Sequence, residues 1–307
     1  MTRSTTVLSI ALLAATCALA QSSTPPASTT PAASTPAQSA PAAQSPSNGN
    51  HRVLQAKSKE ELDAYNAATT IAEPAKAEAA ANDFGAKYPT SELRASLYIR
   101  VMSLYGQANN AEKVIVTGRQ AIAADPTNPI PLVQVASTLA ESTRDNDLDR
   151  EQRLAEAAKD AQAAIDNIDT GLLVPPNADP ARVEAAKHSI LTMSYDTLGM
   201  VNMDRNDYAA AVTNLQKAID ENKANPEGVL YLRLSVAQDK LQQYSQALDS
   251  ANKAVQYSQP GSPALNLAKQ QQERLQKLNN AGTTPASPTQ GPAGAAANPS
   301  TTPTTPH

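Results

Sequence analysis

Residues 195–218 read YDTLGMVNMDRNDYAAAVTNLQKA, and residues 231–254 read YLRLSVAQDKLQQYSQALDSANKA. Each opens on a Tyr, places Leu and a small residue three and four positions later, crosses a polar turn with a second Tyr, and ends in a run of spaced alanines. Leu198 and Leu234 are 36 residues apart, and so are Ala211 and Ala247. Equal offsets at several places mark an internal repeat, and a period of this size belongs to stacked supersecondary units. Inside each stretch the apolar residues recur at spacings of three and four, the period of a helix. Each unit therefore predicts two helices joined by a turn.

Working outward, the pattern recurs. Tyr98-Ile99-Arg100-Val101-Met102-Ser103-Leu104-Tyr105 repeats the first helix, a turn follows at residues 106–110, and Val114, Gly118 and Ala121 form the second helix before Pro126. Ala77, Ala81, Phe84 and Pro89 occupy second-helix positions of an earlier unit. Leu132, Val135, Ala136 and Leu139 give a first helix whose partner carries Ala157, Ala161 and Ala164, with extra residues around 141–150 between them. These units resemble the tetratricopeptide repeat, a helix–turn–helix of 34 residues. The resemblance spans most of residues 58–259 and implies an all-α fold, a right-handed α-solenoid of about five such repeats. Residues 262–278, polar along Gln270, Gln271, Gln272, Glu273, Arg274, Gln276 and Lys277, read as a capping helix. No single pair can bury its apolar face, so stacking must supply a continuous core. Small residues such as Ala211 and Ala247 would let helices approach closely. The nine tyrosines are then read as core or inter-repeat wedges, with Tyr98 and Tyr195 expected to be buried.

Composition agrees with helices. The chain of 307 residues has no Trp, one Phe and much Ala, which disfavours a sandwich or barrel built from β-branched and aromatic strands. Residues 52–280 hold every charge except Arg3. Residues 21–50 and 281–307 contain no Asp, Glu, Lys or Arg and six prolines each, too little apolar surface to offset chain entropy, so both are expected to be disordered arms. Residues 1–20 resemble a secretory leader: Arg3, an apolar run from Val7, and Ala18-Leu19-Ala20 as a cleavage signal. The run is too short to span a membrane, so no membrane span is expected after cleavage. An alternative reading makes Cys17, the only cysteine, the lipidated residue of a bacterial lipoprotein. Export to a bacterial periplasm or cell envelope is the expectation.

The chemistry-bearing residues are few. No phosphate-binding glycine loop, nucleophile-elbow serine, HExxH or paired CxxC occurs, so no cofactor is expected and the chain is read as a non-enzyme. The net charge of −4 argues against a nucleic-acid partner. Asp145, Asp147, Asp149 and Glu156 have the acidic spacing of a calcium loop, but Arg150 stands where its sharp turn needs Gly. A solvated loop before a helix is preferred, and no metal is assigned.

In the tetratricopeptide family the first helices line a concave surface. The corresponding residues here are Ile99, Ser103, Val133, Ser137, Met193, Asp196, Met200, Met203, Leu232 and Val236. They lack the Lys, Asn and Arg set of the carboxylate-clamping subclass. Ile99, Val133, Met193, Met200, Met203, Leu232 and Val236 are the candidate partner-binding residues, suited to a protein or peptide because Met adapts to varied surfaces. The resemblance implies a protein-interaction scaffold in the cell envelope. The alternatives are an outer-membrane assembly lipoprotein and a metal-dependent enzyme using the acidic insertion.

Overall fold

The computed structural model describes residues 54–174 and 177–282. The leader, both arms and Cys17 lie outside the described residues, apart from the first two residues of the C-terminal arm. Among the described residues there are eleven α-helices and no strand. They form five consecutive pairs: α1 (Lys59–Thr69) with α2 (Pro74–Lys87), α3 (Leu93–Gln107) with α4 (Ala111–Ala124), α5 (Pro129–Ser142) with α6 (Arg150–Asp166), α7 (Pro180–Asp204) with α8 (Tyr208–Glu221), and α9 (Gly228–Lys240) with α10 (Tyr244–Tyr257). A single helix, α11 (Pro263–Gly282), follows and packs on both α9 and α10. Each helix packs chiefly on its sequence neighbours, which makes the fold an α-solenoid.

Three of the five turns are built alike. Asn109, Asn206 and Gln242 adopt the left-handed backbone, with φ of 54°, 61° and 60°. The next residue in each case (Asn110, Asp207, Gln243) donates its N–H to the carbonyl of Tyr105, Asn202 or Gln238 five places back, at 3.0, 2.8 and 2.9 Å. The left-handed residue itself donates to Gly106, Met203 or Asp239. This closure consumes carbonyls that the end of a helix leaves without partners. Asn suits the first role because it tolerates the left-handed region. Asn110 and Asp207 then cap the following helix, their side chains accepting from the N–H of Lys113 and Ala210. Helices α2, α5 and α7 start differently, with Pro in the first turn behind the capping residues Glu73, Asn128 and Asp179.

Packing between the pairs depends on small side chains. Ala121, Ala157, Ala161, Ala164, Ala211, Ala218, Ala247, Ala251 and Ala254 are wholly buried on the second helices. Gly118 and Gly199 continue that logic, since a methyl on Gly199 would sit 2.7 Å from Leu215 and one on Gly118 2.3 Å from Val135. The tyrosines divide. Tyr98 and Tyr105 are buried, the Tyr105 hydroxyl donating to Glu78, a bond that pushes its pKa up to about 12. Tyr195 departs from expectation and is only half-buried. It lies under Lys217 at 5.2 Å, and Tyr231 lies under Lys253 at 5.7 Å, the same 22-residue spacing in both repeats. Tyr244 and Tyr257 are more exposed again.

The third repeat breaks the pattern. Residues 143–149 open its turn, and residues 167–179 form a long connector to a 25-residue α7. Leu172 and Val174 of that connector, with Val183 and Ile190 of α7, pack over Leu132, Val133 and Ala164. The connector is seated tightly: a methyl on Gly171 would fall 1.8 Å from the carbonyl oxygen of Thr127. At the C-terminal end α11 extends beyond its expected boundary, burying Ala268 and Leu275 while Leu267 and Leu278 stay exposed.

Candidate partner-binding face

The seven candidate residues fall into two groups. Met193, Met200, Met203, Leu232 and Val236 are half-buried on α7 and α9. Ile99 and Val133 are core residues, 6% and 0% exposed, which corrects the expectation that they face a partner. Ile99 belongs to the core cluster that includes Phe84, Tyr98 and Met102, and Val133 to the cluster that includes Leu172 and Val174 of the connector. Met193 borders the cluster around Leu132 and Val133, Met200 the one around Leu139 and Leu154, and Met203 the one around Leu215 and Leu234. The apolar strip therefore runs over α7 and α9 and does not continue across α3 and α5.

A charged group missed by the sequence reading stands beside the strip. Arg233 of α9 donates through Nη1 to Asp196 Oδ2 of α7, the two side chains being 24% and 15% exposed. Glu141, at the C-terminal end of α5, and Glu227, the residue before α9, add their fields. Burial works to lower the pKa of the Arg233 guanidinium, and the three carboxylates together with the Asp196 bond outweigh it and raise it. Burial raises the pKa of Glu141, with Arg233 opposing and Asp196 reinforcing the rise. Burial likewise raises that of Glu227, whose Oε1 accepts from Asn222 Nδ2 at 2.9 Å. Asp196 and Arg233 sit one residue from equivalence in consecutive repeats, a signal present in the alignment of residues 195–218 with 231–254. Glu141 gave no such signal because its repeat is irregular.

Beyond Val236 the same side becomes polar. Asp239 pairs with Arg274 and accepts from Gln271, tying α9 to α11 around a shallow depression. The acidic insertion is used internally. Glu156 accepts two bonds from Arg119 at 2.7 and 2.6 Å, Asp147 accepts from the Arg144 N–H, and Asp145 faces Arg150. Among the described residues no group of three or more His, Cys, Asp or Glu is gathered to hold a metal. His188 contacts Glu221 at 2.7 Å on the surface. Among the described residues no helix is long and apolar enough to cross a membrane.

No family model and no curated protein sequence matches the chain. A solved structure described as the Assembly Chaperone of RpL4 (Acl4) is similar at 10% identity, covering 73% of this chain and 98% of its own, with a TM-score of 0.38.

Proposed function

We propose that this chain is an exported helical-repeat protein of the tetratricopeptide type that binds a protein partner along the face formed by α7 and α9. The observation that carries the reading is the strip of Met193, Met200, Met203, Leu232 and Val236, left half-exposed beside a charged group. Exposed apolar patches bordered by polar residues mark interaction sites. A solenoid presents such a strip rigidly, because each first helix is fixed by the helices on either side. Three methionines add adaptability to ligands of varied shape. The leader-like residues 1–20 support export, with cleavage after Ala20 and an envelope location.

The experiment is capture of cross-linked partners by the chain and by a Met200→Glu, Leu232→Glu double variant in the cells that make it. Each introduced carboxylate would have to be desolvated against an apolar ligand, so capture should fall while helical circular dichroism is kept. Undiminished capture by a folded variant refutes the face. Sequencing of the mature N-terminus tests the export reading separately, Gln21 being the expected first residue.

A further inference from the structure

The polar groups bordering the apolar strip are short of hydrogen-bond donors. The Arg233 guanidinium bonds Asp196 alone, while Glu141 and Glu227 stand within reach of its field and Glu227 accepts instead from Asn222. Asp196 commits Oδ2 to Arg233, and its Oδ1 is shut off from solvent without a donor. Thr192, one turn earlier on α7, is 7% exposed and its hydroxyl is equally unpartnered. Residues four apart on a helix are surface neighbours, so the acceptor-only Oδ1 and the Thr192 hydroxyl, which can both donate and accept, lie on one face of α7. Glu141 is half-buried, and burial and the fields of Arg233 and Asp196, with no hydrogen bond from the described residues, set its environment. A buried acceptor without a donor costs stability, as does a cluster of like charges.

We infer that the face formed by α7 and α9 takes a peptide segment of a partner protein in which a Lys or Arg, flanked by apolar residues, places its cationic head beside Glu141 and Asp196. This rests on the binding face proposed above and names the chemistry of its ligand. An ammonium or guanidinium brings three or five donors and no acceptor, which is what the site lacks. Its charge offsets the local excess of carboxylates, and bonds from a cation to a carboxylate are the strong ones. The flanking apolar residues meet Met200 and Met203 on one side and Leu232 and Val236 on the other. An acidic segment would meet Glu141, Asp196 and Glu227 with Arg233, already bonded to Asp196, to receive it. Lys240 and Arg274 lie beyond Val236, and Arg274 is paired with Asp239. A wholly apolar segment would take water from the Glu141 carboxylate without offsetting its charge.

The test is selection of a random peptide library, displayed on phage, against the immobilised full chain. The best peptide is then synthesised with Lys and, separately, with norleucine in its place, and binding is read by fluorescence anisotropy at low and high salt. The expected outcome is enrichment of Lys or Arg between apolar residues, with binding weakened roughly tenfold or more by norleucine and weakened by salt. Glu141→Gln should shrink the gap between the two peptides. Enriched peptides that norleucine leaves unaffected, or that carry Asp or Glu instead, overturn the inference; loss of their binding in the Met200→Glu, Leu232→Glu variant would still uphold the face. Failure to enrich any peptide that this double variant loses overturns both. The norleucine comparison on the unaltered chain needs no variant, so a Glu141→Gln chain that fails to fold leaves the result decisive.

Discussion

Val133 of α5 and Leu232 of α9 hold the same place in the repeat, four residues before Ser137 and Val236 respectively, yet one is wholly buried and the other half-exposed. The difference lies in the neighbouring connectors. After α6 the chain runs through residues 167–179 and into an α7 of 25 residues, long enough to fold Leu172, Val174 and Val183 back over α5. After α8 only residues 222–227 precede α9, and no such segment folds back to cover Leu232. A repeat register fixes where a side chain stands on its helix. The length and apolar content of the adjoining connector decide whether that place is core or surface.

The largest expected effect tests that contrast directly. Val133→Glu buries a charge with no partner, so it should cost several kcal/mol or prevent folding, whereas Leu232→Glu should cost under about 1 kcal/mol. Urea unfolding of the two variants gives the comparison, and equal losses would break it. A middle-sized effect comes from the covered region's second helix. Asp160 is 7% exposed, and burial, reinforced by Glu156, pushes its pKa up to about 6. The folded chain then binds this proton more tightly than the unfolded chain. The associated stability is present in acid and is lost as pH rises through about 6. Asp160→Asn should therefore stabilise the protein by about 1–2 kcal/mol at neutral pH and bring little gain near pH 4, as thermal midpoints at the two pH values would show. The smallest effect belongs to the open region. Gln242 holds a left-handed backbone that Asn holds in the two equivalent turns, so Gln242→Gly should stabilise by about 0.5 kcal/mol, against almost nothing for Asn206→Gly. Matched shifts in the two melting curves would show that Gln holds the left-handed backbone at no greater cost than Asn.

The legibility of this fold tracks the regularity of its repeats. Residues 195–218 and 231–254 announced their helices because the tyrosine, turn and alanine positions recur with one period. Asn206 and Gln242, which adopt the left-handed backbone, are themselves one period of 36 residues apart. The covering of Val133 was not legible, since it depends on a connector that belongs to no repeat. Its trace in the sequence is the apolar triplet Leu172-Leu173-Val174 in an otherwise turn-like segment. Tyr195 misled for a different reason: its motif position names a site between repeats, and the depth of that site depends on the neighbouring helix. The pairing of Asp196 with Arg233 could be found by aligning the repeats, whereas Glu141 is brought to them only by the stacking of α5 on α7.

The packing of each helix on its nearest neighbours in sequence also decides how the molecule opens. Releasing α11 disturbs chiefly α9 and α10, and releasing α1 disturbs chiefly α2 and α3. Helices α7 and α9 each touch four others, but only α7 sits mid-chain on the irregular third repeat, packing on α5 and α6 as well as on α8 and α9. Amide hydrogens near either end can exchange with solvent through a local fraying that leaves the rest intact, while those of α5 and α7 must wait for a cooperative opening of several repeats. Protection against exchange should thus rise from both ends toward the connector of residues 167–179, a segment that fastens consecutive units by something other than their repeating surfaces.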